Sequence, residues 1–230
     1  MIDQKVTFAL EKIARDLGRS RSLDEVLHSI VESVREALPE IDHAGVSISY
    51  RDRRVETRAW TDDVVVQLDL LQLELDEGPC MDAIDDTISA PVVRVDDARH
   101  EQRWPRFIPR AVELGLRSQL GLRLFVGDET VGGLNLYSTS SDSISEESER
   151  LAQLFAGHAA LALGWVQNRQ QLTEALATRT LIGRATGIVM QRYGLDADRA
   201  FDYLVRVSQT SNTKMRDLAI KLVAEFTPPT

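Results

Sequence analysis

The sequence predicts an α+β fold: an antiparallel sheet with helices, joined through a long helix to an all-α tail. Three observations carry this. Apolar residues recur at helical spacing before residue 39 and again from residue 146 onward. Between them, short runs rich in β-branched and aromatic residues alternate apolar and polar side chains with a period of two. The last fifth of the chain then falls into helix-length segments separated by Gly194 and by Ser211-Asn212.

The elements follow in order. Val6, Leu10, Ile13 and Leu17 lie at helical spacing, and Gly18 breaks the pattern. Ser22 and Glu25 form a capping box, in which hydroxyl and carboxylate each serve the other's backbone amide. Val26, Leu27, Ile30, Val31, Val34 and Leu38 continue that helix until Pro39. Residues 44–50 and 55–60 read as strands joined by a charged connection that starts at Arg51. Residues 64–75 fit either helix or strand. Residues 77–84 read as a Gly-Pro turn opening a short helix, and 91–95 as a strand. Residues 96–107 form a polar loop that runs into a helix ending near Glu113. Residues 118–126 and 130–138 make a hairpin, with Leu120, Leu122, Leu124 and Val126 set against Val131, Leu134 and Leu136 on one apolar face.

Ser145 is the next N-cap. Glu146, Glu147 and Glu149 crowd the first turn, where the helix dipole favours anions. From there the helical pattern, through Val166 and Leu172, runs to Gly194 as one long helix or two abutting ones. That length is typical of a coiled coil or signalling connector, and it offers a dimer seam. Asp196 caps a helix over 197–209 with Ala200, Phe201, Leu204, Val205 and Ser208 inward. Ser211 or Asn212 caps a last helix from about 213 to 226, with Met215, Leu218, Ala219 and Leu222 inward, before the Pro228-Pro229 end.

Composition narrows the classes. A chain of 230 residues with 43% hydrophobic content folds as one large or two modest domains. No apolar run approaches the ~20 residues that span a bilayer, and the N-terminus lacks signal-peptide order, so a cytoplasmic location is expected. The net charge is −9, yet residues 170–230 carry eight Lys/Arg against six Asp/Glu, leaving +2 there and −11 elsewhere. A polyanion is tolerated only by the tail. The single cysteine, Cys80, excludes an intrachain disulfide and a multi-cysteine metal site. It is either a small buried side chain or a redox or ligand-sensing thiol. His43, His100 and His158 do not cluster, so no metal site is expected. No phosphate-binding glycine loop, nucleophile–base spacing or acidic metal cluster points to an enzyme.

Glu77-Gly78-Pro79-Cys80, the strand and loop over 90–97, the hairpin with Gly132-Gly133-Leu134-Asn135, and the Ser-Glu-Glu helix after it resemble the GAF domain family. The likeness covers about residues 20–166, after an N-terminal helix over 1–19. It implies a five- or six-stranded antiparallel sheet with helices, and a sensing or dimerising role. GAF domains bind varied small ligands, and the resemblance leaves ligand and cofactor unknown. A ligand pocket is expected under the loop holding Asp96, Asp97, His100 and Trp104, near Trp60 and Cys80; otherwise these are ordinary loop and core residues.

Residues 176–190, 198–208 and 212–219 resemble the ANTAR family of RNA-binding antitermination regulators, over about 172–226 without a gap. GAF followed by ANTAR is an arrangement common in actinobacterial regulators. The resemblance implies a domain over 167–230 that binds RNA as paired stem-loops, reading loop bases, which are legible because they are unstacked. The long helix as a dimer seam leads to the expectation of a homodimer, and the lack of a spanning apolar run to that of no membrane contact. On the resemblance, Arg179, Arg184, Thr186, Gly187, Arg206, Ser208, Asn212, Thr213, Lys214 and Arg216 are the candidate RNA contacts. Gly187 sits inside a helix at a cost of about 1 kcal/mol against Ala. Such a glycine is kept for close approach, either by a nucleic acid or by Phe201 or Leu204. Asn212, Thr213 and Lys214 offer backbone N–H groups and a cation to a phosphate. At Thr186 the family commonly has Lys, so this chain lacks one cation there.

Overall fold

The computed structural model describes residues 2–18, 22–50, 54–85, 87–88 and 90–226. The connection at 51–53 and the Pro228-Pro229 end lie outside these, as do the side chains of Leu17 and of residues 166–175. The chain divides into two compact units, Met1–Val166 and Gln167–Thr230.

The first unit is built on one antiparallel sheet. Its strands are β1 (His43–Ser49), β2 (Val55–Trp60), β3 (Val92–Val95), β4 (Ser118–Val126) and β5 (Glu129–Ser138), in the spatial order β2-β1-β5-β4-β3. One face carries the expected alternation. Ala44, Val46, Ile48, Leu120, Leu122, Leu124, Leu134 and Leu136 are buried together with α1 (Ile2–Gly18), α2 (Leu23–Ala37) and the start of α6 (Glu146–Tyr193). A bulge fixes the parity of the hairpin. Leu124 pairs with Gly132 and Phe125 with Thr130, so Val131 is the extra residue and joins Leu134 and Leu136 on the apolar side. Gly132 permits this geometry, since a Cβ there would lie 2.0 Å from the Ser47 carbonyl oxygen. The capping box of α2 forms as read, with Glu25 N–H donating to Ser22 Oγ and Ser22 N–H to the Glu25 carboxylate.

The opposite face lies under α3 (Asp63–Leu75), α4 (Pro79–Ile84), a short 3-10 turn at Ala98–His100 and α5 (Phe107–Glu113). Residues 64–75, ambiguous in sequence, are helical. Asp76 ends α3 in the left-handed conformation, its N–H reaching the Gln72 and Leu73 carbonyls. α4 comes down onto β4 at Gly121, where a Cβ would meet the Pro79 carbonyl oxygen at 2.6 Å.

α6 is one helix of 48 residues. Ser145 caps it, accepting from the Ser148 amide at 3.2 Å. Gly194, at φ 66°, closes it, with Leu195 N–H returning to the Met190 carbonyl. In the second unit the C-terminal turns of α6 pack with α7 (Ala197–Thr210) and α8 (Met215–Phe226) around Ala185, Val189, Ala200, Leu204 and Ala219. Two expectations are corrected here. Phe201 is exposed, because the buried stripe of α7 runs through Ala200 and Leu204 and takes Tyr203 on its flank. And α8 opens at Met215 rather than near 213, because Asn212 adopts the left-handed conformation at φ 48°. No helix among the described residues is long and apolar enough to cross a membrane.

Candidate functional sites

In the second unit, Arg179 and Arg184 are exposed on α6, Arg206 is exposed on α7, and Lys214 and Arg216 are exposed at the start of α8. None of the five forms an ion pair with a described residue, nor does Lys221. Arg192 and Arg199 differ. The former lies over the Tyr193 and Phe226 rings, and the latter is 3.5 Å from Asp196. The first unit, by contrast, commits Arg58, Arg94, Arg99, Arg103, Arg106 and Arg117 to carboxylates.

The small residues of α6 separate by role. Ala185 is fully buried in the helical core. Gly183 and Gly187 are exposed, and a Cβ at either would find no atom within 4 Å. Packing against Phe201 or Leu204 therefore does not explain Gly187. One turn apart, the two glycines leave a strip of bare helix facing away from the core. Thr186 bonds back to the Ile182 carbonyl at 2.9 Å. Ser208 and Thr213 lock α7 to α8: Ser208 Oγ donates to the Thr213 carbonyl at 2.6 Å, and Thr213 N–H donates to the Ser208 carbonyl at 3.0 Å. Asn212 N–H donates to the Gln209 carbonyl. The Asn212 and Thr213 amides, offered to a phosphate on the sequence alone, are thus spent inside the unit. Lys214 contributes its carbonyl to the Asp217 and Leu218 amides and keeps its ammonium exposed. Gly183 was no sequence candidate and Lys221 was counted only in the charge balance; both are exposed on the folded unit.

In the first unit the five candidate pocket residues do not form one cluster. Trp60, over a third exposed, stacks at a tilt on His28 of α2. Asp96 is ion-paired to Arg94 at 2.7 Å. His100 is exposed and bonded to Asp97, whose carboxyl is held down to about 2 by Arg99 and then His100. Cys80 and Trp104 are both buried at α4, with Trp104 Nε1 donating to Asp82 at 3.2 Å. An open groove of about 390 Å³ is lined by Arg99, Glu101, Gln102, Pro105, Ile108, Pro109 and Val112, and none of the five candidates lines it.

The polar heart of this unit lies between the sheet and α3–α4. The buried Asp69 carboxylate accepts from Thr57 Oγ1 at 2.7 Å, Ser47 Oγ at 3.2 Å, Asn135 Nδ2 at 3.1 Å and the Tyr137 hydroxyl. Gln72 donates to Tyr137 and accepts from the Cys80 amide at 2.8 Å. Asn135 Nδ2 also lies 3.1 Å from Cys80 Sγ. Burial raises the Asp69 pKa and the four donors oppose it. Burial, and then the Asp69 charge, push the Cys80 thiol up to about 12, so it is neutral and unreactive in the folded state. Sequence reading named Cys80 but passed over Asp69 and Gln72, because they sit inside a largely apolar run. A signal was present: they stand three apart, one helical turn, so both fall on one helix face. Among the described residues no group of three or more His, Cys, Asp or Glu could hold a metal ion.

An antiparallel sheet covered by helices, followed by a small helical unit in which five exposed cations form no ion pair with a described residue, places the chain in a class of two-domain proteins. The comparisons specify which. The GAF domain model matches residues 20–164 and the ANTAR domain model matches residues 170–223, and the chain belongs to the family of GAF–ANTAR domain proteins. ANTAR domains are RNA-binding antitermination regulators, and GAF domains sense signals. The fold is similar to that of the GAF domain of an Acinetobacter phosphoenolpyruvate-protein phosphotransferase (17% identity, TM-score 0.53, 72% of this chain and 97% of that one). It is similar to the corresponding GAF domain from Coxiella burnetii (17%, 0.53, 73% and 98%) and to the phycoerythrobilin-bound GAF domain of a cyanobacterial phytochrome (14%, 0.56, 72% and 97%). These likenesses establish the fold. No curated protein matches the sequence.

Proposed function

We propose that the chain is a cytoplasmic RNA-binding transcription antitermination regulator. In this reading the GAF unit senses a signal and controls a dimeric ANTAR unit that binds paired RNA hairpins. The observation that carries it is the set of five exposed cations that form no ion pair with a described residue, Arg179, Arg184, Arg206, Lys214 and Arg216, in a unit whose α6 is also bare at Gly183 and Gly187. Unpaired cations contact phosphates without first breaking an internal pair, and a helix without side chains admits close approach of a backbone. The small local excess of charge leaves specificity to loop bases and shape. Dimerisation is supported by Leu154, Leu161 and Trp165, which stand exposed at intervals of seven and four along α6, with Gly157 between the first two.

Filter binding of the purified chain to a tandem pair of stem-loops tests this. Saturable binding that depends on loop sequence is expected. Reversing Arg184, Arg206 and Lys214 to Glu should weaken it at least tenfold without unfolding the protein. A second reading, a protein-docking module, draws on the exposed Phe201, Ile220 and Phe226. Docking through those apolar groups would survive the charge reversal, and absence of loop-dependent RNA binding by the wild type would rule out the first reading.

A further inference from the structure

Three aromatic rings and one guanidinium of the second unit come together from three helices: Arg192 and Tyr193 at the end of α6, Tyr203 in α7 and Phe226 at the end of α8. Tyr203 is half-buried against the helical core. The Tyr193 ring lies on it, 5.2 Å between centroids and tilted by 41°, and the two side chains share a hydrogen bond. The Arg192 guanidinium continues the stack outward, 5.9 Å from the centre of the Tyr193 ring and 5.6 Å from that of Phe226. Rings kept only to close a core are buried by it. Tyr193 is 51% exposed and Phe226 49%, so much of each ring surface is left in water. Tyr203 and Arg206 stand three apart on α7 and so are neighbours on one helix face, and Arg206 is one of the five exposed cations that pair with no described residue.

We propose that this stack is a seat for one unpaired base of the bound RNA. The base lies on the exposed ring surface of Tyr193 and Phe226, and Arg192, held over both rings, adds cation–π attraction. The proposal deepens the RNA-binding reading of the ANTAR unit and rests on it. The surroundings of the stack point to nucleic acid as its occupant. It contains a cation, it neighbours Arg206, and it belongs to the part of the chain whose charge balance is positive. The rings read no base edge, and every base has a face to stack. The seat therefore favours a base that has left its own stack and separates an open loop from a paired stem. The cations cannot draw that distinction, because stems and loops carry the same phosphates. Base identity is left to edge contacts elsewhere.

The test uses the full chain and a tandem pair of stem-loops carrying 2-aminopurine at one loop position at a time. Binding of the wild type should quench the fluorophore at a loop position, as stacking on a ring does, and leave 2-aminopurine in the stems unchanged. Tyr193→Leu with Phe226→Leu keeps apolar bulk and removes the rings. That pair should abolish the quench and weaken filter binding roughly five- to hundredfold. The slope of log K on log salt should stay at the wild-type value, because no charge is lost. Tyr193→Phe, which keeps the ring and loses the hydroxyl, should keep both quench and affinity. The proposal is overturned, with the RNA-binding reading intact, if the wild type binds but quenches no loop position, if the leucine pair binds and quenches as wild type does, or if Tyr193→Phe behaves as the leucine pair does. Should the leucine pair not fold, the wild-type quench across loop positions decides. Failure of the wild type to bind any stem-loop overturns the RNA-binding reading and this proposal with it.

Discussion

Cys80 shows how context fixes the chemistry of one residue. A thiol is nucleophilic only as thiolate, and here burial beside Asp69 raises its pKa from its ordinary 9.0 to about 12. The folded value lies above the unfolded one, so the associated stability is fully present below about pH 9 and is lost as pH rises toward about 12. The loss over that window is on the order of 4 kcal/mol. Urea unfolding of the wild type should weaken from pH 8.5 to 10.5 more steeply than that of Cys80→Ala, and equal slopes would show that the thiol is not linked to folding. At pH 8 the native thiol should resist iodoacetamide and react only after unfolding. Of the two sequence readings of Cys80, the geometry supports the buried side chain.

At the scale of elements, α6 is the part whose sequence and structure agree most closely. Ser145, the three glutamates and Gly194 mark its ends in the sequence, and the helix runs between those marks. Local chemistry suffices there because caps and spacing act within a turn or two. α3 is the counter-example. Its run from Val64 to Leu75 mixes eight apolar residues with Gln67, Asp69, Gln72 and Glu74 in an order that fits neither period cleanly, so the pattern does not distinguish helix from strand. The structure resolves it by setting Val65 and Asp69 against Gly45, where an added Cβ would lie 2.5 Å from Val65. On α6 Leu161 and Trp165 are more than half exposed, so Leu161→Glu with Trp165→Glu should leave Tm within about 1 °C of wild type. The same pair should convert a dimer to a monomer in light scattering. A dimer that persists would place the seam elsewhere.

At the scale of the molecule, charge is partitioned rather than uniform. Residues 170–230 carry +2 and the rest −11. Pairing sharpens this, because the first unit gives six arginines to carboxylates while five cations of the second pair with no described residue. If all five meet phosphates, the dependence of log K on log salt for each ANTAR unit should have a slope of roughly −3.5, at ~0.7 per contact on single strands. Thr186, whose hydroxyl bonds back to the Ile182 carbonyl, follows Arg184 by two residues on α6. Thr186→Lys should tighten RNA binding and steepen the slope by about 0.7. An unchanged slope would mean that position 186 faces no phosphate.

The sequence by itself determined the order of elements, the GAF–ANTAR architecture, the two faces of the β4–β5 hairpin and both ends of the long helix. All of these are set by neighbours within a few residues, so periodicity, caps and motif spacing record them. Only the tertiary structure decided which polar residues matter. Asp69, Ser47, Asn135 and Tyr137 meet across α3, β1 and β5, and burial leaves the Gln119 amide without a partner among the described residues. Trp60, Asp96 and His100 looked similar to them in one dimension and are dispersed to the surface in three. Burial and pairing depend on residues tens of positions away, and no local pattern in the chain encodes that distance.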